Sequence, residues 1–117
     1  MKFKVPSKEE YKTAFQNLED EISAGELKML KANYDAPERT ITAEIMSEAM
    51  GYASFGGANL QYGKLAGKLG RQLNLNPDCK VVILCELVEP KTQGDNVHWL
   101  WVMRPEVAQA LKELNWV

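Results

Sequence analysis

Lys64, Lys68 and Arg71 are separated by four and then three residues, the spacing that brings side chains onto one face of an α-helix. A row of ammonium and guanidinium groups can neutralise an anionic polymer such as a phosphate backbone. Ahead of them stand Asn59 and Gln61, whose amides both donate and accept and so can read base edges. Tyr52 and Ser54 carry hydroxyls suited to phosphate oxygens. Three cations on a helix are also what an ordinary solvated surface looks like. A dedicated face is favoured because Ala49 to Pro77 holds no Asp or Glu, although the chain has 16 acidic and 14 basic residues; residues 51–77 carry +3 and the rest carries −5.

Other chemistry is poorly supported. Pro77-Asp78 followed by Glu89-Pro90-Lys91 matches the letters of a metal-dependent nuclease signature, which needs two carboxylates converging on Mg²⁺ with a lysine near the attacking water. Pro90 interrupts the continuous strand that such a site requires. His98 is the only histidine, and beside Trp99 it reads as a packed strand residue; no serine or cysteine is placed to form a nucleophilic pair with it. The glycine-bearing segment GYASFGGANLQYG lacks the lysine-serine ending and preceding strand of a phosphate-binding loop. Cys79 and Cys85, six apart in one expected strand, would lie roughly 20 Å apart, beyond disulfide reach, and two cysteines without a histidine cluster make no zinc site. The expectation is a non-enzymatic chain with no metal and no cofactor.

The elements that must position the cations follow from caps and periodicity. Ser7-Lys8-Glu9-Glu10 and Ser23-Ala24-Gly25-Glu26 are capping boxes. They predict a first helix with Tyr11, Phe15, Leu18 and Ile22 inward and a second with Leu27, Leu30 and Tyr34 inward, ending at Asp35-Ala36-Pro37. Thr40 or Thr42 caps a short third helix, TAEIMSEAM, with Ile45, Met46, Ala49 and Met50 inward and Gly51 as its stop. After the short connection YASFGG, a helix from about Gly57 to Leu73 buries Ala58, Tyr62, Leu65, Ala66, Leu69 and Leu73 and turns the cations outward. Gly63, Gly67 and Gly70 form a strip between these faces; each costs about 1 kcal/mol relative to alanine, which close packing against another helix, or against a nucleic-acid backbone, could offset.

Asn74 to Asp78 is turn chemistry, and KVVILCELV and VHWLWVMR read as a two-stranded hairpin joined by EPKTQGDN. Val97, Trp99, Trp101 and Met103 share one strand face and His98, Leu100, Val102 and Arg104 the other. The hairpin loop offers Lys91, Thr92 and Gln93 but also Glu89 and Asp95, so it is a weak phosphate binder. Pro105 opens a last helix with Val107, Leu111 and Leu114 inward. Trp99, Trp101 and Trp116 are expected in packing; exposed tryptophans would instead mark an interface.

With 117 residues and 45% apolar content, the chain suits one ordinary core. We therefore expect a single domain over 1–117: a helical pair at 1–36, a helix-turn-helix at 40–73, a hairpin wing at 79–104 and a closing helix at 105–117. The net charge of −2 excludes a generally basic, histone-like binder and requires any nucleic-acid footprint to be local. There is no long apolar run and no signal core, so the expected location is the cytoplasm, away from membranes. Glu9, Glu10, Glu19, Asp20 and Glu21 crowd the first helical region, where they could imitate DNA or keep the protein soluble.

Thr42, Ala43, Ala49, Gly51, Tyr52, Ala58, Asn59, Leu60, Gln61, Tyr62, Gly63 and Leu65, then Trp101, Val102, Arg104 and Pro105, form a pattern that resembles a small bacterial domain. That domain occurs at the N-terminus of HNH-type restriction endonucleases and as a stand-alone protein, and the resemblance covers roughly the last two-thirds of this chain. It implies a DNA-associated module working near a nuclease, linked to restriction or defence against foreign DNA. Cleavage is not implied, because one histidine cannot supply the HNH metal-binding module.

Together these readings predict an α+β winged helix-turn-helix domain that binds double-stranded DNA. Lys64, Lys68 and Arg71 are placed on phosphates, Asn59 and Gln61 on bases, and Tyr52 and Ser54 at the turn. The competing class is a protein-interaction module or inhibitor of a nucleic-acid-processing complex. Homodimerisation is compatible with either.

Overall fold

The computed structural model describes residues 4–75, 81–89 and 99–117. Helix α1 (Lys8–Asn17) and helix α2 (Ala24–Asp35) both start at complete capping boxes. In α1 the Ser7 hydroxyl accepts from the Glu10 amide at 3.1 Å while the Glu10 carboxylate accepts from the Ser7 amide at 3.0 Å; Ser23 and Glu26 repeat the exchange at 3.1 and 2.9 Å. Each box occupies amides that a helix start otherwise leaves without an internal partner. A 3-10 turn at Glu19–Glu21 joins the two helices, and another at Pro37–Arg39 follows α2.

The chain then forms strand β1 (Thr40–Ile41), helix α3 (Ala43–Met50) and helix α4 (Phe55–Gln72). Thr42 caps α3 by accepting from the Ile45 amide at 3.1 Å. Gly51 ends it at φ 76°, a left-handed conformation that glycine adopts without a Cβ penalty. Strands β2 (Cys85–Val88) and β3 (Leu100–Met103) precede helix α5 (Pro105–Glu113), which begins at its proline.

Among the described residues the sheet has three antiparallel strands in the order β1-β3-β2, one more than the two-stranded hairpin expected. Thr40 pairs with Val102 and Ile41 with Trp101; on the other side Cys85 pairs with Met103 and Leu87 with Trp101. Two residues are too few for sequence periodicity to reveal a strand, and β1 exists because β3 offers it a free edge. The apolar run at 80–88 is also shorter as a strand than expected: Val81 to Ile83 form a helical turn before β2 begins at Cys85. The premise that Cys79 and Cys85 share one strand therefore fails at the Cys85 end, while Cys79 lies outside the described residues. So do Pro77, Asp78, Pro90, Lys91, Thr92, Gln93, Asp95, Val97 and His98.

One apolar cluster unites helices α1 to α5 with the sheet: Tyr11 and Phe15 of α1, Leu30 of α2, Met46 of α3, Leu65 of α4 and Leu111 of α5 are each fully buried. Burying a side chain of this size contributes about 1.5–3 kcal/mol. Trp116 packs edge-on against Phe15 at 5.4 Å, and Glu113 pairs with Lys8 at 2.8 Å and Lys12 at 3.4 Å, so α5 is fastened to α1.

Several inward faces are rotated from their expected positions. In α3 Ala43, Met46 and Ser47 are buried, whereas Ile45 is 53% exposed and Ala49 is exposed. In α2 Met29, Leu30 and Asn33 are buried, with Leu27 and Tyr34 only half-buried. Eight- and twelve-residue helices leave more than one apolar stripe open to periodicity, and the neighbours select among them. Trp99, expected in packing, is 53% exposed, whereas Trp101 is buried and stacks on Tyr62 at 5.4 Å.

Candidate nucleic-acid interface

Helix α4 is held from beneath by a buried polar hub. Tyr62 donates its hydroxyl to Asn33 Oδ1 at 2.9 Å, and the Cys85 thiol reaches the same oxygen at 3.1 Å. Asn33 Nδ2 donates to the Arg39 carbonyl at 2.9 Å and lies 3.4 Å from the Trp101 carbonyl. One amide thereby ties α2 to α4, to both long strands and to the turn after α2. No buried side-chain oxygen or nitrogen among the described residues lacks a hydrogen-bond partner. Burial pushes the Tyr62 hydroxyl well above the ordinary tyrosine range and the Cys85 thiol up to about 12, so both are neutral donors. A thiol so placed is no nucleophile.

The start of α4 is fixed by Ser47 of α3, whose buried hydroxyl accepts from the Ala58 amide at 3.3 Å. Ser54, the residue immediately before α4, makes no side-chain capping bond and is exposed. Tyr52 is half-buried, with its ring against Gly57: a Cβ there would meet Tyr52 Cγ at 3.0 Å. Gly57 is thus needed for close approach, and Tyr52 braces the turn from inside. Sequence reading missed Ser47; the signal was its position one residue after the inward Met46.

Along α4, Asn59, Lys64 and Arg71 are exposed and Gln61 is half-buried. Lys68 departs from the expected ridge. Its ammonium donates to Glu26 Oε1 at 2.7 Å, to Glu26 Oε2 at 3.0 Å and to the Glu21 carbonyl at 2.7 Å. Glu26 is only 7% exposed. Burial works to raise its pKa, but the Lys68 hydrogen bond, the Ser23 amide and the Lys68 charge together hold it below the ordinary glutamate value. Lys68 therefore neutralises a carboxylate of its own chain, and the outward ridge reduces to Lys64 and Arg71. Neither makes an ion pair among the described residues.

The glycine strip also divides. A Cβ on Gly70 would lie 2.8 Å from Ile83 Cδ1, so this glycine admits a core side chain. A Cβ on Gly63 would meet nothing within 4 Å, and one on Gly67 only the Arg71 guanidinium at 3.9 Å. These two leave the outer face bare beside Lys64, Arg71 and Leu60, which is 57% exposed. The neighbouring α3 adds exposed Glu44 and Glu48, so residues 43–72 set three cations against two carboxylates, a net +1.

Among the described residues no group of three or more His, Cys, Asp or Glu is arranged to hold a metal, and no helix is long and apolar enough to cross a membrane. Comparison of the chain with protein-family models, with curated proteins and with solved structures gives no match.

Proposed function

We propose that this chain is a non-catalytic winged-helix module that binds double-stranded DNA through the outer face of α4. The order supports the fold assignment: α2, β1, α3, α4, β2 and β3, with the first strand paired to the last, follow the winged-helix course. Fold order alone carries no function. The observation that carries the reading is the uncovered face of α4, where Lys64 and Arg71 are exposed, Gly63 and Gly67 leave room for a backbone to approach, and the helix has no carboxylate. A second helix of a helix-turn-helix presents such a face to the major groove.

In this reading Lys64 and Arg71 neutralise phosphates, Ser54 adds a phosphate contact ahead of the helix, and Asn59 reads a base edge near the helix start. Gln61 and Tyr52 are half-buried and act mainly in packing. With two phosphates neutralised, log affinity falls with log salt at a slope of roughly −2. The link to restriction or defence rests on the resemblance described above and adds no further contact.

Ile45 and Leu60, 53% and 57% exposed on the paired helices, favour a second reading in which the same surface meets a protein or a second copy of this chain. Anisotropy titration of random duplex DNA at two salt concentrations separates the two. Salt-sensitive binding that is weakened severalfold in Lys64→Glu supports DNA. No binding at tens of micromolar protein, combined with a dimeric mass by light scattering, supports self-association and overturns the DNA reading.

A further inference from the structure

A second site lies on the opposite side of the sheet from α4. Side chains alternate along β3, so Trp101 and Met103 face the core while Val102 faces outward between Thr40 and Glu86. Over Val102 the turn at Pro37–Arg39 and the first turns of α5 enclose a cleft of about 570 Å³. Val102, Pro105 and Ala108 supply apolar lining, and Arg39, Arg104 and Lys112 supply positive charge. The volume and the mixture of apolar floor with a few polar groups suit a small ligand.

Arg39 is held in place by an unusual backbone. Glu38 and Arg39 have φ of 54° and 59°, two consecutive non-glycine residues in the left-handed region. The conformation is maintained because Asn33 Nδ2 binds the Arg39 carbonyl at 2.9 Å, Thr40 Oγ1 donates to the Glu38 carbonyl at 3.0 Å and the Arg39 amide donates to the Ala36 carbonyl at 2.8 Å. What this backbone positions is the guanidinium, 3.8 Å over the Tyr34 ring with one N–H on the Tyr34 carbonyl at 2.7 Å. A guanidinium carries five N–H donors. Ring and carbonyl orient it, and its planar fork suits a carboxylate or phosphate.

We propose that this cleft binds a small organic anion, with one anionic head held by Arg39 and Lys112 and an apolar body over Val102, Pro105 and Ala108. Arg104 is oriented by its Nε donating to the Val82 carbonyl at 2.9 Å. Glu38 and Glu86 also line the cleft. They repel a second negative group and so restrict the ligand to a single anionic head.

The test is titration of the ¹⁵N-labelled chain with benzoate and, separately, with benzyl alcohol, which keeps the ring and lacks the charge. Benzoate is expected to give saturable shifts confined to residues around Arg39, Val102 and the first turns of α5, with Kd about 1 mM or tighter. Benzyl alcohol binds at least about fivefold more weakly, and the exposed substitution Lys112→Gln weakens benzoate about threefold. Arg39→Gln weakens it about tenfold. Non-saturable shifts, an equal response to the alcohol, or benzoate binding unchanged in Lys112→Gln overturns the proposal; if Arg39→Gln fails to fold, Lys112→Gln and the alcohol still decide. No DNA is present in this titration, so its failure leaves the α4 reading untouched, and the reverse holds.

Discussion

Lys64 and Lys68 stand one helical turn apart on α4 and are used in opposite ways. Lys68 is turned into the seam between α2 and α4, where Glu26 takes its charge at 2.7 Å. Lys64 stands in solvent on the bare outer face. The same Glu26 carboxylate accepts from the Ser23 amide as part of a helix cap, so one side chain both starts α2 and removes a cation from the ridge. Residue type and spacing are alike for the two lysines, and the difference comes from what the neighbouring helix places opposite each. The seam should therefore respond to mutation in stability, and the ridge in binding.

The largest expected effect lies at the centre of the seam. Asn33→Ala strands the Tyr62 hydroxyl and two backbone carbonyls without their partner, and should destabilise the fold by about 3 kcal/mol in urea denaturation. A loss under about 1 kcal/mol would mean that water or a neighbour replaces the amide. Lys68→Met leaves the Glu26 carboxylate partly buried without its cation, and should destabilise by about 2 kcal/mol, below the range for a fully buried pair because Lys68 is 25% exposed. Its DNA affinity, measured under conditions where it is folded, should match wild type. A tenfold drop would return Lys68 to the ridge.

The ridge should show the opposite profile. Lys64→Glu combined with Arg71→Glu should weaken duplex binding roughly tenfold and flatten its salt dependence, with stability changed by less than about 0.5 kcal/mol. Loss of stability without loss of binding would exchange the roles of the two regions.

A smaller effect is the pH dependence of the seam. Because the folded Glu26 titrates below its unfolded value of 4.5, its contribution is fully present above that value and is lost as pH falls through the depressed one. The stability gap between wild type and Lys68→Met should accordingly narrow between neutral pH and about pH 3. A gap that stays constant would show that packing of the lysine stem, and not the ion pair, sets its magnitude.

The glycines sharpen the contrast at the smallest scale. Gly63→Ala places a methyl in open space and should stabilise the helix by about 0.5–1 kcal/mol. Gly70→Ala gains the same propensity but forces Ile83 to move, so it should yield less or destabilise. Thermal melts of the two variants give the comparison directly.

Much of the scaffold was legible in the residues. Both capping boxes, the Thr42 cap and the Gly51 stop are local: each needs only groups within three or four residues of one another, so composition and spacing suffice. The buried stripe of α4, from Ala58 to Leu69, was legible for a related reason: eighteen residues offer enough turns for one apolar face to dominate. Short elements were less so. The two residues of β1, the outward Ile45 and the helical turn at Val81 to Ile83 depend on contacts far along the chain.

What the sequence determined by itself is therefore where the side-chain-capped helices begin and which long helix carries an acid-free, cationic face. Tertiary structure alone decided that Lys68 belongs to Glu26, that Gly70 yields to Ile83 while Gly63 lies open, and that Arg39 is aimed over Tyr34. Caps and periodicity act across a few bonds, whereas a charge or a cavity is defined by whatever residue the fold brings opposite it, 42 positions away in the case of Glu26 and Lys68.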